Sequence, residues 1–147
     1  MSVEETGYPR NFLVAVDGSE PSYKAVRYAV QLAKIKKGSI IVLHVVLLPS
    51  FAAPETLETL RRELSQKGKD ILAKAKNMVA EAGIPVAEGL VETNRSVVLA
   101  IIEEAQKQHV DLIVVGTKGT SGIPKLMLGS VAAGVVSFAH CSVLGVR

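Results

Sequence analysis

Along the chain, apolar residues fall into short unbroken runs and longer stripes at helical spacing, and the two kinds alternate. Phe12 to Val16 is an apolar run that ends at Asp17-Gly18-Ser19, which predicts a buried strand meeting a turn. Ser19 is suited to cap a helix, with Glu20 and Pro21 in its first turn. Ala25, Val26, Ala29, Val30 and Ala33 keep helical spacing up to Lys36-Lys37-Gly38, a cationic last turn followed by a stop. Residues 40 to 48 form a second, almost wholly apolar run closed by Pro49, the mark of a strand covered on both faces. Pro54 opens a long helix whose stripe is Leu57, Leu60, Leu64, Ile71, Ala75, Met78 and Ala82, ended by Gly83. Val86 to Val91 is the weakest strand, broken by Glu88 and Gly89, and belongs at an edge. Asn94 is placed to cap a helix carrying Val97, Val98, Ile101, Ile102 and Ala105. A fourth strand spans 111 to 115. Residues 131 to 139 are apolar nearly all round, which predicts a short, deeply packed helix. Ser142 to Val146 closes the chain as another edge strand.

Five strands alternating with four helices predict an α/β fold, a single-domain five-stranded parallel sheet with helices on both faces. With the third and fifth strands at the edges, the order is 3-2-1-4-5 and reverses between strands one and four. Ligands in such sheets bind outside the carboxyl ends of the strands at that reversal. Asp17-Gly18-Ser19 and Gly116 to Gly119 follow those two strands, so both loops meet at one crevice. Residues 1–10 read as a flexible tail and 11–147 as the domain.

Composition narrows the class. The 147 residues are 48% hydrophobic and 21% charged, in keeping with a globular domain. No run reaches the roughly 18 apolar residues that a membrane span needs, and no secretory leader is visible. A single cysteine, Cys141, excludes an internal disulfide and a cysteine zinc cluster. A cytoplasmic location is expected. The net charge of +3 arises from lysines spread over helical faces, and with no Trp and only three Phe and three Tyr it predicts a solvated basic surface rather than a nucleic-acid site.

The chemistry concentrates after the fourth strand. Gly116-Thr117-Lys118-Gly119 is followed, nine residues on, by Gly129-Ser130 at the start of the last helix. Glycines let a backbone approach an anion closely, and a helix start offers unpaired N–H groups and a positive dipole end. The layout is that of a phosphate cradle. Other nucleotide and phosphate motifs do not fit: the first turn has Gly18 alone where a dinucleotide fingerprint needs three glycines, and no G-x4-G-K-[ST] exists. The acidic cluster of a response regulator and a Ser-Gly-Gly-x-Asp-Ser pyrophosphatase loop are also missing.

The spacing G-x2-G-x9-G-S resembles the nucleotide-binding signature of the universal stress protein family. So do Val14 to Ser19, which resembles its opening strand, His44-Val45 at the end of its second, and Asp111 to Gly116 along its fourth. Leu128 to Ala132 and Ala139 to Leu144 are similar to its closing helix and strand. The resemblance implies an adenine nucleotide alpha hydrolase-like fold and an ATP-binding module that acts as a stress-response switch, with Mg²⁺ held by the phosphates. Ala15, Val16 and Asp17 would line the adenosine pocket and Val45 would contact adenine through its backbone. Val115, Gly116, Thr117, Lys118 and Gly119 would wrap ribose and phosphates, while Gly129, Ser130 and Val131 would present N–H groups. Lys125 is a further candidate. Glu92-Thr93-Asn94 and Ser142 depart from the family pattern, and Gly134 and Gly145 are expected to loosen the last helix and strand. A homodimer through the last strand is expected, and the protein partners stay open. Two other readings stand beside this one: a slow adenosine-nucleotide hydrolase or phosphotransferase using Asp17, and a non-nucleotide interaction subunit of the same fold.

Single residues carry plainer readings too. Asp17 either bonds the N–H groups of its own turn or contacts ligand. His44 reads as a core histidine, Cys141 as a packed thiol, and Ser130 as a cap and phosphate donor rather than a nucleophile. His109 and His140 lack partners at metal-ligand spacing.

Overall fold

The computed structural model of the protein describes residues 10–118 and 128–147. Its strands are β1 (Asn11–Ala15), β2 (Ser39–Leu47), β3 (Val86–Thr93), β4 (Leu112–Gly116) and β5 (Ser142–Val146). Its helices are α1 (Glu20–Lys36), α2 (Pro54–Glu81), α3 (Val97–Lys107) and α4 (Ser130–Phe138). All four strand pairs are parallel, in the order β3-β2-β1-β4-β5, so the expected topology and its reversal beside β1 are borne out. Residues 1–9, read as most of a tail, lie outside the described residues. Arg10 is already tied into the fold, its N–H donating to the Asp111 carboxylate and its carbonyl accepting from Ser39.

The period of two along each strand divides the core between the sheet's faces. Phe12, Val14, Val42, Leu112 and Val114 pack under α1 and α2, and Leu13, Leu43, Ile113 and Val115 under α3 and α4. Both faces of the central strands are therefore dry, which is why their sequences run apolar without alternation.

Helix starts follow their caps. Ser19 accepts from the Ser22 N–H at the start of α1, as expected. At α3 the cap is Ser96, accepting from Leu99, and not Asn94. The preceding turn is held by the Thr93 hydroxyl, which accepts from the Arg95 N–H, and this delays the helix by two residues. α4 also departs from expectation. Only Ala132 and Val135 are buried, while Val136 and Phe138 are 53% and 73% exposed. One side of the helix meets α3, where a Cβ on Gly134 would lie 2.7 Å from Val98, so Gly134 tightens this contact rather than loosening the helix.

The two sheet edges differ in chemistry. On β3, Glu88 pairs with Lys76 at 3.5 Å, and Glu92 meets Arg61 at 3.6 Å and the Ser65 hydroxyl at 3.2 Å, all reaching over from α2. On the opposite edge β5 reads Ser-Val-Leu-Gly-Val, with no charge.

Candidate functional site

A cavity of about 260 Å³ opens at the carboxyl ends of β1, β2 and β4, the place the topology selects. Its floor comes from Ala15 at the end of β1 and Val16 just after it, Leu43 and Val45 on β2, and Val115 and Gly116 on β4. Val97 and Ile101 of α3 form one wall, and the cap residue Gly129 with Ser130, Val131 and Ala132 of α4 the other, with Asp17, Ser22, His44 and Lys118 at the polar margin. The residues read from the sequence therefore converge, with two exceptions. Thr117 is buried away from the cavity: its N–H donates to the Val146 carbonyl at 2.9 Å and its own carbonyl accepts from Gly129 at 2.6 Å. It clamps the start of α4 to β5 instead of lining the site. Gly119, like Lys125, lies outside the described residues.

The start of α4 is the electrostatic focus. Its cap is Gly129, which has no side chain to bond the first turn, and the first intrahelical rung runs from the Ala133 N–H to the Gly129 carbonyl. The N–H groups of Ser130, Val131 and Ala132 precede that rung, so the helix itself supplies no acceptor for them. All three residues border the cavity, with Lys118 beside them. Such an end attracts anions.

Opposite, the turn after β1 is self-contained. Asp17 Oδ1 accepts from the Ser19 N–H at 2.9 Å and from the Ser19 hydroxyl. Ser22 Oγ accepts from the Asp17 N–H at 3.3 Å and donates to the Ser19 carbonyl at 2.8 Å. Asp17 thus spends one oxygen on its own turn. Burial first, and the charge of Asp17 second, raises the pKa of the adjoining Tyr23 phenol above its ordinary value. Among the described residues no cluster of side chains at metal-binding spacing occurs.

His44 is held at the same margin. Val16, the last residue of β1's side to pair, donates its N–H to the Leu43 carbonyl at 2.8 Å. In a parallel ladder the next rung would join the Val45 N–H to the Val16 carbonyl. That carbonyl instead lies 2.7 Å from His44 Nδ1, and an acceptor there requires Nδ1 to carry the proton. The backbone groups of Val45 consequently face the space beyond β1.

The site belongs to a recognisable lineage. The chain matches the universal stress protein family over residues 9–147. It belongs to that family. Among curated relatives, the universal stress protein YxiE of Bacillus subtilis is 36% identical over 92% of this chain and 97% of its own length. A universal stress protein of Methanocaldococcus jannaschii is 33% identical, over 94% and 82% respectively. A universal stress protein solved in complex with cAMP is 28% identical, with a TM-score of 0.71 over 95% of this chain and 97% of its own. The fold is the adenine nucleotide alpha hydrolase-like one shared by structures of this family.

Sequence reading missed Ser22, Leu43, Val97, Ile101 and Ala132 as lining residues, and took His44 for core alone. Leu43 shares a strand face with Val45, and Val97 and Ile101 are four apart on α3, so their spacing carried the signal. Which helix face met the crevice required the packing.

Proposed function

We propose that this universal stress protein binds an adenine nucleotide in the crevice between β1 and β4 and acts in the cytoplasm as a nucleotide-dependent stress-response switch. The observation that carries the reading is the uncapped start of α4, whose N–H groups border an apolar cavity next to Lys118. Phosphates would sit on those N–H groups, with Lys118 offsetting their charge. The base would lie between Val45, Val97 and Ile101, where the backbone N–H and C=O of Val45 offer one donor and one acceptor to an adenine edge. Ala15, Val16 and Asp17 would border the ribose, and Gly116, with Gly119 beyond the described residues, the phosphate loop. The relative with cAMP bound supports an adenine ligand. ATP is the nucleotide we assign, with Mg²⁺ carried on its phosphates.

The role is binding rather than turnover. Asp17, the candidate for metal-assisted hydrolysis, already holds its own turn. The β5 edge, uncharged and unpaired on its outer side among the described residues, with Val136 and Phe138 exposed on α4, supports a homodimer through the last strand. The protein as purified is denatured and any released nucleotide identified by mass spectrometry; titration with ATP and AMP then gives affinities. An adenine nucleotide released, or heat on titration, is expected. Empty protein that stays unresponsive to both sinks the reading, and a steady-state phosphate-release assay running at enzyme-like rates would replace the switch with a hydrolase.

A further inference from the structure

We propose that His44 is a positioning residue that sets the crevice's backbone, and that α2 carries a glycine to seat it. Gly68 lies in the middle of the 28-residue helix α2 and is buried. A glycine in a helix interior is a weaker helix former than alanine, so its presence calls for a cause. A Cβ at Gly68 would lie 2.7 Å from His44 Cδ2, 3.3 Å from Nε2 and 2.8 Å from Leu90. The helix gives up propensity so that the imidazole fits between α2 and the sheet. Packed in that slot, the ring directs Nδ1 at the Val16 carbonyl, 2.7 Å away.

Two consequences reach the site. The bond turns the Val16 carbonyl out of the β1–β2 ladder immediately before Asp17, fixing the exit of β1. It also leaves the Val45 N–H without the rung partner a continued ladder would give it, free to face a ligand. His44 touches the nucleotide only through this backbone. The effect on affinity rests on the proposed nucleotide site; the effect on the Val45 amide does not, and the test separates them.

Amide hydrogen exchange is measured by NMR on the ligand-free protein, with AMP titrations alongside. In the wild type the Val45 amide is expected to exchange far faster than that of Leu43, and the His44 ring to show the Nδ1–H tautomer in its nitrogen shifts. In His44→Leu the Val16 carbonyl loses its donor and returns to the ladder. Val45 exchange then slows, and AMP binds about tenfold more weakly, the scale of one hydrogen bond. His44→Asn, whose amide nitrogen stands near the Nδ1 position, restores both in large part. Gly68→Ala, which keeps every site residue, displaces the ring and shifts both readouts in the same direction despite its better helix propensity. It also carries the test should His44→Leu fail to fold. An Nε2–H tautomer, or a folded His44→Leu or Gly68→Ala with wild-type Val45 exchange, overturns the proposal. Altered exchange in a protein that binds no AMP at all overturns the nucleotide reading and leaves the positioning role standing.

Discussion

Gly116 shows how little freedom single residues at the crevice have. A Cβ there would lie 2.9 Å from the Pro21 carbonyl oxygen, a backbone atom in the first turn of α1. Backbone cannot step aside as a side-chain tip can, so Gly116→Ala should cost about 1–3 kcal/mol, read as a lower urea midpoint with an unchanged slope. Gly129 has a different sensitivity. A carboxylate from Gly129→Asp would occupy the anion site at the start of α4. On the proposed function, Mg-ATP at a hundred times its dissociation constant would add about 2.7 kcal/mol to the wild type, or roughly 5–10 °C in Tm for a domain of this size. Calorimetry should find that rise in the wild type, almost none in Gly129→Asp, and part of it in Ser130→Ala, because the backbone donors remain. Cys141 gives a chemical check on burial. Desolvation pushes its thiol pKa up, with the Asp111 charge adding to it, so less thiolate is present at neutral pH than in a free cysteine. Alkylation by iodoacetamide at pH 7.5 should be slower than for a cysteine in a short peptide, and an equal rate would show the thiol to be solvated.

Elements obey local chemistry first and packing second, and their legibility in the sequence follows that order. Strand and helix identities were readable because every central strand is buried on both faces and every interior helix has a stripe. The crevice was readable because topology and the glycine spacing point to one place. The start of α3 was not, since Asn94 and Ser96 are both good caps and only the Thr93 turn decides between them. Ser96→Ala should therefore lower stability by about 1 kcal/mol, whereas Asn94→Ala should leave the melting curve nearly unmoved; the reverse order would return the cap to Asn94. The burial of α4 was illegible for another reason. An all-apolar helix says that its faces avoid water, not what covers them, and within one chain α3 and the sheet cover only part of it. Thr117 misled in a similar way, since a residue between two site residues can point behind the site when its backbone ties two loops together.

At the scale of the whole molecule, the two sheet edges predict how copies meet. The Val146 carbonyl accepts from Thr117 on the β4 side, so by alternation the N–H of Val143 points outward from the sheet. Light scattering at micromolar concentration should return a dimer mass for the wild type. Val143→Pro removes one outward donor while leaving the rungs to β4, and should shift the population toward monomer; a monomeric wild type would end the pairing argument. The opposite edge contributes by what it withholds. Glu88 and Glu92, anchored from α2 by Lys76 and Arg61, line β3 with bound charge that an incoming strand would have to displace. A chain with one bare edge and one guarded edge has a valence of one. Two copies joined through β5, as proposed, would each use the unguarded edge seen among the described residues, and the assembly would terminate as a closed pair. A sheet left bare on both sides would go on adding copies into a fibre, so in the proposed dimer the ion pairs on β3, worth little to stability, would keep a sticky fold countable.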